Sequence, residues 1–160
     1  MAIITVQSDL LPSGPNATKN APANRDKAYL CKSRFTVAPL VAAADIGSTI
    51  VICKLPANGR YLAAESRVKS TAGGAGALLS VGHQSYRDDK GSTVPLNATF
   101  FGTGLTVAAA GSVSLETLTN VVDEWDIPND VIITMTVAGA NLPIGFAMAG
   151  TIGYLAAFVG

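Results

Sequence analysis

The side chains able to do acid–base, nucleophilic or metal chemistry are few in this chain. His83 is the single histidine, so a Ser-His-Asp triad would need it as the base. It lies at the turn-like end of a strand-like run, SVGHQSY, and the sequence has no Gly-x-Ser-x-Gly elbow to present a nucleophile. An ordinary surface or interface histidine is the expected reading. Cys31 and Cys53 stand 22 residues apart with no C-x-x-C or H-x-x-x-H spacing, which does not make a zinc set. Asp88-Asp89 and Asp123-Glu124-Asp126 pair carboxylates, but neither has the Gly and closing Glu of a calcium loop, and solvated turns are expected. Gly73-Gly74-Ala75-Gly76 and Gly102-Thr103-Gly104 lack the Gly-Lys-Ser/Thr of a phosphate loop and read as turns. Trp125, alone of its kind, is expected to anchor a core or an interface. No catalytic residue, metal or cofactor is assigned, and no enzyme activity is expected.

The elements that would position any site are short runs of alternating polarity separated by turn residues, at the spacing of a sandwich or barrel. They fall at 29–37, 48–55, 60–69, 76–82, 94–101, 104–109, 130–138 and 146–159, with breaks at Pro56-Ala57-Asn58-Gly59, Gly73-Gly74, Asp88-Asp89-Lys90-Gly91, Gly111 and Asn141-Leu142-Pro143. In the third run Leu62, Ala64, Ser66 and Val68 share one face, while Tyr61, Glu65, Arg67 and Lys69 share the other, the pattern of a sheet wet on one side. The expected inward set is Val51, Cys53, Leu55, Leu62, Val68, Leu79, Val81, Ile133, Met135 and Val137. The last run is apolar on both faces, with Ile152, Tyr154, Ala156 and Phe158 on one and Leu155, Ala157 and Val159 on the other. Such a strand is central or lies in a subunit interface, so Tyr154, Leu155 and Phe158 are the expected oligomer contacts. Residues 113–125 read as a short helix. The expected fold is an all-β antiparallel sandwich or jelly-roll-like barrel over residues 28–160, preceded by an extended arm, residues 1–27.

Composition points to buried exterior. The 160 residues are 49% hydrophobic and 14% charged, against a usual charged share of about 25%. Some surface is therefore expected to lie against other chains. All eleven Lys and Arg precede residue 91; less six acids they leave +5 there, and five acids leave −5 in the remainder. Either copies meet head to tail, or the two halves interleave within one fold and cancel locally. The bases are dispersed and not interleaved with aromatics, which disfavours nucleic acid as a partner.

The arm is rich in Pro, Asn, Ala and Ser and has no sustained period. It is expected to order only against a partner, with Ile3-Ile4-Thr5-Val6 able to pair as a strand with another chain and Lys19, Arg25 and Lys27 available to acidic surfaces. The first residues lack a cationic and then apolar signal pattern, so folding in a cytoplasm is expected. The cysteines should then be reduced and packed as small apolar groups, and the two Asn-Ala-Thr sequons carry no meaning. The uncharged stretch 131–159 exceeds the length of a membrane-spanning helix. Its two-residue alternation, its Asn141-Leu142-Pro143 break and its lack of flanking Lys or Arg argue against a membrane partner.

The segment DIGSTIVICKLPANGRYLAAESRVKSTAGGAGALLSVG, residues 45–82, resembles small structural proteins of tailed bacteriophages. The shared pattern is Gly-x-x-Ile/Val and a hydrophobic strand, Lys-Leu-Pro-Ala-x-Gly, a second strand, and a Gly-rich gap before a strand ending Val-Gly. Residues 130–137 with 150–159 resemble the same family's ending. What the resemblance implies is a head decoration (cement) protein on the outer capsid surface of a virion. It would be a sandwich that trimerises, takes the major capsid protein as its partner and stabilises the lattice, made in the host cytoplasm. A tail, neck or fibre-associated adhesin is the competing implication, and a secreted carbohydrate-binding module is a third.

Overall fold

The computed structural model describes residues 4–5 and 29–156. Its strands are β1 (Ile4–Thr5), β2 (Tyr29–Val37), β3 (Thr49–Leu55), β4 (Arg60–Ser70), β5 (Leu78–His83), β6 (Tyr86–Arg87), β7 (Thr93–Val94), β8 (Asn97–Thr106), β9 (Gly111–Ser114), β10 (Glu124–Asp126), β11 (Val131–Ala138) and β12 (Met148–Ala156). One sheet runs β1-β3-β11-β5-β8, and the second runs β10-β4-β12-β2 with β9 also on β4. All pairings are antiparallel except β1 on β3. The two sheets pack face to face as a β-sandwich.

Period-two alternation builds the core. In β11 the β-branched run VIITMTVA sends Val131, Ile133, Met135 and Val137 inward; such residues fit a pleated, half-buried surface. They meet Ile50, Leu55, Leu79, Val81 and Leu105 of the same sheet, and Phe35, Val37, Tyr61, Val68, Ile152 and Tyr154 of the other. The +5 and −5 halves interleave. Lys54 pairs with Asp130 and Arg60 with Glu124 and Asp126, each a first-half base on a second-half acid.

Two bulges reassign faces that simple alternation misplaces. In β3 the register on β11 slips so that Ile133 faces Cys53 while Thr134 faces Val51. Ile50 and Ile52 are buried, and Val51 turns outward, half-buried, contrary to the inward expectation. In β4 the pairing with β12 jumps from Arg67↔Thr151 to Leu62↔Gly153. The Ser66 hydroxyl holds the bulge, donating to Leu62 O at 2.7 Å and accepting from Gly153 N at 2.9 Å. Before the bulge Tyr61 and Ala63 face in, and after it Ser66, Val68 and Ser70 do. Tyr61 is therefore core and Leu62 lies outward, half-buried, reversing the expected assignment of both. A Cβ on Gly153 would overlap the Glu65 backbone and Cβ, so this bulge requires glycine there.

Residues 113–125 do not form the expected helix. Ser114 ends β9 and caps a single 3₁₀ turn, Leu115–Thr117, after which the chain enters β10. Leu115 and Leu118 are both buried by that one turn, which gives the segment a helical spacing without a helix. The runs 94–101 and 104–109 resolve into β7 and one strand, β8, bent by Gly102 and Gly104 at φ of 138° and 80°. Gly111 opens β9 instead of breaking the chain.

Candidate functional site

His83 sits in the core at 1% exposure, not on the surface. It continues the inward parity of Leu79 and Val81 on β5, a signal present in the sequence. Its ring stacks parallel to Trp125 at 6.3 Å and meets Phe100 and Tyr86 edge-on at 4.9 and 5.1 Å. Nδ1 lies 2.9 Å from Gln84 O, and since a carbonyl only accepts, Nδ1 carries the proton. Phe101 and Tyr61, 4.5 Å apart, extend this aromatic cluster across both sheets. Trp125 is thus a core anchor. Its ring geometry is that of packing, and no nucleophile lies on the His83 ring among the described contacts.

The cysteines are free, Cys53 buried and Cys31 half-buried. Burial pushes the Cys53 thiol up to about 12, opposed in part by a hydrogen bond with Ser33. A thiol held in that state is a poor nucleophile and a poor metal ligand. Tyr154 is pushed up to about 12 by burial, with Cys31 and Cys53 beside it adding to the effect. Among the described residues no group of three or more His, Cys, Asp and Glu converges as a metal site, and no helix is long and apolar enough to cross a membrane. Asp88 caps its own turn through Lys90 N and Ser92 N.

What remains is surface. The outer face of the β10-β4-β12-β2 sheet is laid out in four rows by the strand register. They are Leu30–Leu155–Arg60–Asp126, Lys32–Gly153–Leu62–Glu124, Arg34–Thr151–Arg67–Ser114 and Thr36–Ala149–Lys69–Ser112. The first two rows hold the ion pairs of Arg60 with Asp126 at 2.6 Å and Glu124 at 3.3 Å, and Lys32 with Glu65 at 3.0 Å. The Asp126 carboxylate raises the Arg60 guanidinium above its ordinary value. Leu30, Leu155 and Leu62 form an outward apolar strip there, with Leu30 half exposed. Arg34, Arg67 and Lys69 in the last two rows have no carboxylate partner among the described residues. Beside Lys69 a shallow groove of about 300 Å³ is lined by Val37, Pro39, Ala147 and Met148.

The expected oligomer contacts divide. Tyr154 is buried in this chain's own core, because β12 is the central strand between β4 and β2 and Tyr154 keeps the parity of Ile152. Its side chain is not an outward contact, which corrects its placement with the others. Leu155 faces outward, half-buried. Phe158 and the arm residues Lys19, Arg25 and Lys27 lie outside the described residues.

The molecule at this point is defined as a two-sheet antiparallel sandwich without a catalytic constellation among its described residues. No family of known proteins and no curated protein matches its sequence. Its fold is similar to that of a chain in the capsid of Ralstonia phage GP4, at TM-score 0.62 and 16% identity over 99% of this chain and 100% of that one. It is also similar to a chain in the capsid asymmetric unit of cyanophage Pam1, at TM-score 0.58 and 17% identity over 91% and 99%. At such identities the likeness is one of fold.

Proposed function

We propose that the chain is a non-enzymatic virion structural protein. In this reading it decorates the outer surface of a phage capsid, binds the lattice of major capsid protein and stabilises it as a homotrimer. The observation that carries the proposal is the end-to-end fold likeness: chains within two phage capsids match this sandwich over essentially their whole lengths. The strand and turn pattern of residues 45–82, read independently from the sequence, points the same way. A decoration protein acts by mass action, favouring the assembled lattice because it binds that state and not the free subunits. Lys19, Arg25 and Lys27 would dock acidic patches of the shell, and Leu155 and Phe158, joined by Leu30 and Leu62, would line the contact between copies.

The test is stoichiometry and shell stability in purified particles. Hundreds of copies per particle, and shells that break at lower temperature when the protein is omitted, are the expected results. A dozen copies or fewer would overturn the reading in favour of a tail or neck component.

A further inference from the structure

The strand β3 has β11 on one side, and among the described residues only β1 covers its other edge. That cover is slight: Ile4 pairs with Ile50 and Thr5 with Val51, in parallel. The edge beneath it, Thr49-Ile50-Val51-Ile52-Cys53, is uncharged, rich in β-branched residues and free of proline. A bare edge of this composition templates pairing with another chain. The fold therefore needs a strand at this place.

The connection that follows this strand in the sequence is long. Residues 6–28 separate β1 from β2, 23 residues, where connections in a compact domain have a median of about 4–6 and seldom exceed roughly 15. Fully extended, such a stretch reaches up to about 75 Å, against a radius of gyration of about 14 Å for a domain of this size. Pro12, Pro15 and Pro22 fall within it, and each fixes φ and removes a backbone donor.

We infer that β1 is an exchangeable strand: in the assembled protein, the Ile4–Thr5 segment of one copy pairs with the β3 edge of a neighbouring copy, in the same parallel register. The inference rests on the self-association proposed above. The backbone hydrogen bonds are the same in both arrangements, so effective concentration chooses between them. In a dilute chain the tether supplies its own strand at roughly millimolar effective concentration. Once copies are held side by side, the neighbour's strand is equally near, and exchange links each subunit to the next without demanding a new kind of contact. In a closed ring every copy gives one strand and receives one.

Two single-cysteine chains test this, Thr5→Cys and Val51→Cys, each carrying Cys31→Ser and Cys53→Ala, unfolded together, reassembled and oxidised. Paired strand positions lie within disulfide reach. A covalent two-chain species on a non-reducing denaturing gel is expected, approaching the roughly one half of the chains that random mixing of the two variants allows. Cross-linking confined to single chains in a Thr5→Cys/Val51→Cys double variant, with none between the mixed single variants, would overturn the inference. Should the replaced cysteines impair folding, the unmodified chain serves. In a half-labelled sample, isotope-filtered NOEs between amides 4–5 of one copy and 50–51 of another are expected, and NOEs within one copy alone overturn it. Sedimentation of the same samples separates the two ideas. Intrachain pairing in an oligomer overturns only the exchange, whereas a chain that stays monomeric with intrachain pairing at roughly millimolar concentration, where neighbours compete with the tether, overturns the exchange and the self-association together.

Discussion

The two outer faces of the sandwich are built on opposite terms. On the β11 sheet the outward rows are Lys54–Ile132, Val51–Thr134–Gly82, Thr49–Thr136–Ser80 and Ala138–Leu78–Thr106, and the one charged side chain in them, Lys54, sits at the end of the sheet and is paired with Asp130. Thr134 is 1% exposed although it points away from the core, and the backbone of Asn97 and Ala98 fills the space that a side chain at position 82 would take. The outer face of the β4 sheet carries Lys32, Arg34, Arg60, Glu65, Arg67, Lys69, Glu124 and Asp126. Occluding a face costs whatever its polar groups lose in hydration. The first face can be covered by another surface at little electrostatic cost; on the second only the Leu30–Leu155–Leu62 strip can be, and the charged rows beside it stay wet. The low overall charge is thus unevenly spread: one side carries a single ion-paired lysine, Lys54, and the other carries most of the charged rows.

A charge placed on each face breaks or confirms this difference. Thr134→Asp puts an unpaired carboxylate where the native side chain is inaccessible, and should cost about 3–5 kcal/mol, read as a large fall in denaturation midpoint or loss of folded protein. Arg67→Glu on the other face should change stability by less than about 0.5 kcal/mol. Equal effects would show that the two faces are not different environments. Next in size, Gly153→Ala should cost about 1–3 kcal/mol, because the added methyl meets the Glu65 backbone, while Gly111→Ala, with open space around it, should be near neutral.

The division into strands was legible wherever alternation ran unbroken. The sequence places β2 at 29–37 and β11 and β12 within 130–138 and 146–159, because each is a long apolar alternation bounded by Gly, Pro or Asn. It fails where a bulge shifts parity by the insertion of residues: Tyr61 and Leu62 exchange faces for that reason alone. It also fails at 113–125, where Leu115 and Leu118 take a helical spacing from one turn. The burial of His83 was readable from Leu79 and Val81, but the aromatic partners Phe100 and Trp125 come from distant strands that only the register brings together. The charged rows needed the register too, since Arg34 and Arg67 are neighbours only across Thr151.

Alkaline titration reads the inner side of the same two sheets. Cys53 and Tyr154 are neutral in the fold and pushed up to about 12, above their unfolded values of about 8.5 and 10. Between those limits the unfolded chain has lost protons that the native chain keeps. Stability is then full below about pH 8.5 and falls as pH rises, by about 1.4 kcal/mol per pH unit for each group in its window. Denaturation midpoints followed from pH 8 to 11 should show the decline, and Cys53→Ala should shift its onset from about pH 8.5 to about 10. At the acid end Asp130, lowered by its hydrogen bond and ion pair with Lys54 and by Ala57 N, contributes stability above its unfolded value that is lost as pH falls through the folded one.

Thr134→Val is the next smaller test. Its Oγ1 is buried with no hydrogen-bonding partner, so removing that hydroxyl while keeping the shape should be neutral or stabilise by about 1 kcal/mol. A loss of more than 1 kcal/mol would mean that the hydroxyl is satisfied and that this face is more polar than its composition suggests.

The smallest expected effect tests the wet face by removing one of its charges. Arg34 and Arg67 flank Thr151 on adjacent strands, which sets their backbones about 10 Å apart. Neither has a carboxylate partner among the described residues. In water two like charges at that distance repel by about 0.4 kcal/mol, and at physiological salt, with a screening length of about 8 Å, most of this disappears. Arg67→Gln should therefore stabilise the free protein by a few tenths of a kcal/mol at low ionic strength and by nothing measurable in 0.15 M salt. A salt-independent loss above about 1 kcal/mol would show instead that the Arg67 side chain packs along the sheet as an apolar stem, and the face would have to be redrawn as partly closed.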